Sequence, residues 1–159
     1  MTPQTNTIPQ GYHTITPTLT VDDAVKALEF YPRALGAEEM VRMPGPGGKI
    51  LHAELRLGDS IFMLSDEFPD MGNRSPTALG GTSGALYVYV PDVDAAWKRA
   101  VDAGAKPSLP PQDMFWGDRI GKLEDPFGHV WTLAQHVGDP TPEQMQQGQD
   151  EFFARFQNA

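Results

Sequence analysis

His52 and Glu54 stand two residues apart in the run Ile50–Leu57, and that spacing is where chemistry first becomes legible in this 159-residue chain. On a strand, residues i and i+2 project from one face. An imidazole beside a carboxylate there can pass a proton or offer two ligands to a divalent cation. Arg56 continues the same face, while Leu51, Ala53, Leu55 and Leu57 make the other. The plainer reading of this alternation is a half-solvated sheet face with local ion pairs. A second group is Phe115-Trp116-Gly117-Asp118-Arg119, where an aromatic pair meets a charged pair at the start of a strand and can line a ligand cleft. For Trp116, cleft lining and ordinary packing weigh equally; Phe127 and Trp131 read as core, and His129 as a turn or surface residue. His136 shares a face with Thr132, two residue pairs further along. Ser60, Ser65, Ser75, Ser83 and Ser108 show no nucleophile elbow. Gly45, Gly47 and Gly48 lie between strands rather than before a helix, which makes them a turn and not a phosphate cradle.

The elements that must position these residues are written twice. Val21-Asp22-Asp23-Ala24 leads into a helix that stops at Leu35-Gly36-Ala37, and Val90-Pro91-Asp92-Val93 leads into one that stops at Ala103-Gly104-Ala105. Each is preceded by a strand pattern and followed by several more. In the first half the alternation predicts a strand over 12–20, a helix capped by Asp22 or Asp23, and strands over 39–43, 50–57 and 60–65. Pro32 is expected to kink the first helix or end its regular part early. Residues 67–83, rich in Pro, Gly, Asp and Ser, read as a mobile connection near the cleft mouth. The second half predicts a strand over 85–90, a helix from the Asp92 cap to Gly104, and a short strand over 106–109 ending before Pro110-Pro111. A hairpin follows around Asp125-Pro126-Phe127-Gly128. Thr141-Pro142-Glu143-Gln144 opens a C-terminal helix whose Met145, Phe152 and Phe156 share one face, to be buried on the domain or across a dimer. The division is a tail over 1–10, modules over 11–66 and 84–137, the connection over 67–83, and a helical extension over 138–159. Together they make one domain of α+β class: two βαβββ repeats forming curved mixed sheets around a concave cleft.

Composition limits the partners. Twelve Lys and Arg against 21 Asp and Glu give a formal charge of −9. No basic cluster offers a footprint for nucleic acid or an anionic membrane. There is no Cys, so thiolate ligands, disulfides and a Cys nucleophile are excluded, and a reducing, cytoplasmic setting is expected. The polar, Pro-containing start reads as no signal peptide, and no run is apolar enough to span a bilayer.

The strand–helix–three-strand order, twice, resembles the vicinal oxygen chelate superfamily, which includes glyoxalase I, extradiol dioxygenases, and fosfomycin- and bleomycin-resistance proteins. Phe30-Tyr31 before Leu35-Gly36-Ala37, His52-Ala53-Glu54-Leu55-Arg56-Leu57-Gly58-Asp59, and Asp125-Pro126-Phe127-Gly128-His129-Val130-Trp131 resemble its PhnB-like branch over roughly residues 11–136. The resemblance implies one metal ligand on the first and last strands of each half. Those positions fall at Thr16, Met63, Ala85 and Thr132, none a usual ligand for a catalytic divalent metal. The expectation is therefore a cytoplasmic homodimer that binds a small organic molecule without a cofactor. Thr16, Arg56, Met63, Ser65, Tyr87, Tyr89, Trp116, Asp118, Arg119 and Thr132 are its ligand-binding candidates. Two alternatives stay open: an enzyme, with or without metal, that uses His52 and Glu54 as catalytic residues, and a structural dimer that uses the C-terminal helix.

Overall fold

A computed structural model describes residues 6–157. The first module runs β1 (Thr18–Val21), α1 (Ala24–Leu35), β2 (Glu38–Pro44), β3 (Ile50–Leu57) and β4 (Ser60–Asp66). After α2 (Pro76–Leu79), the second repeats the plan with β5 (Ala85–Tyr89), α3 (Val93–Asp102), β6 (Lys106–Asp113), β7 (Asp118–Glu124) and β8 (Val130–His136). The strand orders are β1-β4-β3-β2 and β5-β8-β7-β6. In each, the first strand pairs parallel to the last and the other pairs are antiparallel.

The repeat holds at the level of single residues. Thr18 lies opposite Met63, as Tyr87 lies opposite Thr132. Asp23 caps α1 by accepting from the Lys26 amide, and Asp92 caps α3 through the Ala95 amide. The first helical amide of each, Ala24 and Val93, donates to a side chain at the end of the last strand, Asp66 and Gln135. These amides have no intrahelical partner, so a polar residue at that strand end satisfies them.

The helix-bearing sides of both sheets share one core. Helix α1 packs on α3, and Phe30, Tyr31, Phe62, Phe127 and Trp131 meet edge-on or tilted across the modules, with ring centroids 5.5–6.0 Å apart. Asp125, in the β7–β8 turn, is buried at their centre. It accepts from Tyr31 Oη at 2.8 Å, Trp131 Nε1 at 2.8 Å, and the Phe127 and His129 amides at 2.9 Å. His129 lies 2.9 Å from the Thr20 carbonyl, so it bridges the modules rather than decorating a turn.

Several expectations give way to local sterics. The strand expected over 12–20 is confined to Thr18–Val21. Pro17 still accepts from the Met63 amide but has no N–H to extend the ladder, so 12–17 cross the sheet as an irregular strap. Pro32 does not end α1 early: the helix continues to Leu35 and closes on Gly36 in the left-handed region, φ +73°. Strand β6 runs through Pro110-Pro111, since an edge strand with register breaks tolerates missing donors. Residues 67–83 carry a 3₁₀ turn over Pro69–Met71 and the Ser75-capped α2. The cap Ser75 and Pro76 are buried, while most of the stretch is exposed.

Helix α4 (Pro142–Gln157) opens with the anticipated reciprocal box, Thr141 and Gln144 each accepting from the other's amide. It lies against Phe115, which meets both Gly148 and the Phe152 ring. Met145, Phe153 and Phe156 remain 36%, 52% and 66% exposed.

Candidate functional site

Because the helices cover one side of each sheet, the other sides are open, and the chemistry-bearing residues sort onto them by strand alternation. On the first module, pairing sets Glu54 opposite Met63 and Thr18 opposite the same Met63. His52 and Arg56 share the Glu54 face, as the sequence indicates. His52 Nε2 lies 2.9 Å from Glu54 Oε1. The phenol of Tyr12, on the strap, donates to Glu54 Oε2. Hydrogen bonds from His52 first and Tyr12 second hold the Glu54 carboxyl below the ordinary Glu range, against a smaller opposing effect of burial. Between strap and sheet is a cleft of about 440 Å³ lined by Ile8, Tyr12, His13, Thr16, Glu54 and Met63. The cleft thus brings Thr16 and Met63 beside Glu54. His13 lines the cleft too, although a regular strand would turn it away, because the strap is not a strand.

On the second module, Tyr87 and Tyr89 stand on the open face of β5, with Thr132 opposite Tyr87. Asp118 begins β7 opposite His136. The Asp118 carboxylate is buried (4% exposed) and is the hub of this face. Its Oδ2 accepts from Tyr87 Oη at 2.7 Å and Tyr89 Oη at 3.0 Å, and its Oδ1 meets His136 Nδ1 at 3.1 Å. His136 Nε2 reaches Asp139 Oδ1 at 3.0 Å. Burial pushes the Asp118 carboxyl up, but the hydrogen bonds from Tyr87, His136 and Tyr89 together outweigh it and hold the group below its usual value. Tyr87 is pushed up to about 12, by burial first and by Asp118 second. Trp116 is half-buried and lies beside the Tyr87 phenol, which places it at this face and not in the core. Gly117 makes the close approach possible: its φ is +98°, and a Cβ there would run into the Gly138 carbonyl.

Between the modules is a larger cleft, about 800 Å³. The cleft runs along the edge strand β5, so both faces of that strand border it: Leu86, Val88 and Val90 from the helix side and Tyr87 and Tyr89 from the open side, with Ile15, Pro17 and Ile61 across from them on the first module. This size and mostly apolar lining suit a drug-sized organic molecule.

The remaining candidates fall elsewhere. Arg119 does not join Asp118. Adjacent strand residues project to opposite faces, and its guanidinium is bound to Asp94 at the start of α3 and to Asp113. Ser65 and Thr132 are buried within their sheets, and Arg56 reaches the Met40 sulfur at the sheet edge. Sequence reasoning missed Tyr12 as the partner of Glu54, since nothing local signals a contact across 42 residues. It also missed the tie of His136 to Asp118, which counting outward from the Asp125–Gly128 turn would have paired.

The donor set does not fit a divalent metal at the four positions that the resemblance implies. Thr16, Met63, Ala85 and Thr132 offer two hydroxyls, a thioether and a methyl group. Among the described residues no three His, Asp or Glu groups converge on one point; His136 contacts two carboxylates, but from opposite ring nitrogens.

Comparison with known proteins bears on the same residues. The family model described as "Glyoxalase/Bleomycin resistance protein/Dioxygenase superfamily" matches residues 12–133. The uncharacterized protein Rv0887c of Mycobacterium tuberculosis is 45% identical over 135 residues, covering 83% of this chain and 79% of that one. An uncharacterized Arabidopsis thaliana protein, At5g48480, is 34% identical over 117 residues, 69% of each chain. The crystal structure of TioX from Micromonospora sp. ML1 superposes with a TM-score of 0.61 at 29% identity, covering 79% of this chain and 99% of that one.

Proposed function

The chain belongs to the Glyoxalase/Bleomycin resistance protein/Dioxygenase superfamily, and from that premise we propose that it binds a small organic molecule in the cleft between its modules, without the divalent metal of the catalytic members. The observation that carries this reading is the 800 Å³ cleft itself, apolar in most of its lining and edged by two tyrosines anchored to a buried carboxylate. A pocket of this kind gains affinity from apolar burial and specificity from a few fixed polar groups. The Asp125–Trp131 run supports placement in the PhnB-like branch. A homodimer belongs to the same reading. Ile15, 84% exposed at the cleft wall, favours a second copy as its cover. A cytoplasmic setting accords with a chain free of Cys, and among the described residues no helix is long and apolar enough to cross a membrane.

The test has two parts. Protein purified without chelator and incubated with Zn, Ni, Mn and Fe(II) is expected to hold no stoichiometric metal by elemental mass spectrometry. A panel of drug-sized organic molecules is then expected to contain members that raise the melting temperature. One tight equivalent of metal, or no ligand across the panel, overturns the reading.

One observation favours a second reading. The His52–Glu54 contact of 2.9 Å, closed by Tyr12, is a proton-transfer arrangement on an accessible cleft. On this reading His52→Ala and Glu54→Ala each abolish turnover while the fold, checked by circular dichroism, persists. Retained turnover in both variants removes the site.

A further inference from the structure

The two tyrosines of the second module have spent their protons. Both phenol O–H groups donate to one carboxylate oxygen, Asp118 Oδ2. A phenol has a single proton, so what each oxygen can still offer is a lone pair. Tyr89, 63% exposed, is the open acceptor. Donation to an anion also leaves each ring more electron-rich, and the two ring centroids are 5.4 Å apart at an interplanar angle of 61°, a two-sided aromatic corner.

The charge of this corner follows from the same counting. Ionised carboxylates only accept, and both nitrogens of His136 face one: Nδ1 meets Asp118 and Nε2 meets Asp139. When both nitrogens carry protons His136 is an imidazolium, the form the two carboxylates favour, and even that form neutralises only one of them. One cation between two anions leaves a net negative charge. Lys122, opposite Thr132 on the same face, is offset by Glu124 two residues along its strand. In the wider cleft the guanidinium of Arg99 donates to the Pro32 and Arg33 carbonyls, and its charge is matched by Asp59 in the same lining. The whole chain adds a formal charge of −9.

From this we infer that the Tyr87–Tyr89 corner is a subsite for an organic cation bearing N–H donors, of the alkyl- or arylammonium or amidinium class. The cation sits on the electron-rich ring faces and donates a hydrogen bond to Tyr89 Oη. A carboxylate ligand is repelled by the same groups, and a neutral amide loses the ring–cation attraction. This inference rests on the proposed cleft and names what the cleft accepts. It also gives the buried Asp118 a purpose: a desolvated carboxylate is costly to keep, and here it fixes both rings and takes both protons.

The experiment uses three isosteric probes, benzamidinium, benzamide and benzoate, titrated into the full-length protein by calorimetry and by NMR of the tyrosine rings. Benzamidinium is expected to bind about tenfold tighter than benzamide, with benzoate weakest. Tyr89→Phe keeps the ring and removes the acceptor, and is expected to weaken benzamidinium about fivefold and benzamide less, since a neutral amide N–H makes the weaker hydrogen bond. Asp118→Asn should reduce the preference for the cation; if that variant does not fold, Tyr89→Phe decides alone. Benzamide binding as tightly as benzamidinium, or Tyr89→Phe without effect, overturns the cation subsite and leaves the cleft standing. If no probe binds and the wider panel also fails, both readings fall.

Discussion

The two modules share a backbone plan and differ in what they do with its surfaces. The first has its open face crossed by its own N-terminal strap, with Tyr12 fastened to Glu54. The second holds two tyrosines upright on Asp118, on a face whose Ile120, Thr132 and Ala134 are buried. Positions that serve folding correspond between the halves: the caps Asp23 and Asp92, and the strand-end acceptors Asp66 and Gln135. Positions that face the clefts do not. Thr18 corresponds to Tyr87, and Glu54, opposite Met63, corresponds to Lys122, opposite Thr132. A duplicated fold is held by its backbone satisfaction and its core, which leaves the outer faces free to take different chemistry.

The sharpest break in the symmetry is the turn joining the last two strands. In the first module it is the short Gly58-Asp59; in the second it is the longer Asp125–His129 segment, whose Asp125 fastens Tyr31 of the other module. Asp125→Ala strands four donors in the core and is expected to cost about 3 kcal/mol or more. Asp59→Ala, at an exposed turn, should stay within about 0.5 kcal/mol. Urea denaturation of both variants tests the contrast, and equal losses would dissolve it.

A smaller effect lies under the helices. Gly121 corresponds to Ala53, and Trp97 on α3 to Leu28 on α1, so the larger side chain goes with the smaller strand residue. A Cβ on Gly121 would stand 2.6 Å from the Trp97 ring. Gly121→Ala is expected to destabilise by about 1–3 kcal/mol through overpacking. Reducing Trp97 to Leu in the same chain should recover part of that loss; additive losses in thermal denaturation would refute the pairing.

Smaller again is the strap. Glu54→Gln keeps the shape and removes the charge that Tyr12 and His52 address. It is expected to cost about 1 kcal/mol, felt locally as faster amide exchange over 7–16 with the second module unchanged. Exchange that rises equally in both modules would mean that the strap is not the local device described here.

The fold was readable because its determinants are local or periodic: caps, glycine stops, alternation, and a plan stated twice. Where it misled, the cause was a proline whose effect depended on its neighbours. Pro17 stopped a strand, Pro32 left a helix intact, and Pro110-Pro111 were absorbed by an edge. The candidate site was legible by face and not by partner. Alternation put His52 with Glu54 and Tyr87 with Tyr89, but the contacts that define their chemistry, Tyr12 to Glu54 and the tyrosines to Asp118, span 29 to 42 residues. Arg119 was grouped with Asp118 by proximity in sequence, which on a strand is what separates two side chains.

The smallest expected effect tests the second face by pH. His136 is raised above its ordinary value of 6.5, chiefly by its hydrogen bond to Asp118 and next by Asp139. A histidine whose pKa rises on folding stabilises the folded state fully below its unfolded pKa and loses that contribution as pH climbs through the folded one. The advantage of the native protein over His136→Gln in melting temperature should therefore be complete below pH 6.5 and shrink above it. The ring is 54% exposed, so solvent screening keeps the shift modest. Asp118 works in the opposite sense: its carboxyl is lowered below the ordinary 3.8, so its contribution is present above that value and is lost only as pH falls through the lower, folded one. Between those limits imidazolium and carboxylate coexist, and that window is where the tyrosine corner is held in place. Replacing Asp139 by Asn removes one of the two negative charges facing His136 and should move its NMR titration toward 6.5 while leaving the Tyr87 and Tyr89 contacts to Asp118 intact. A His136 titration indifferent to Asp139 would show that the imidazolium is held by Asp118 alone, and the net charge assigned to that face would have to be recounted.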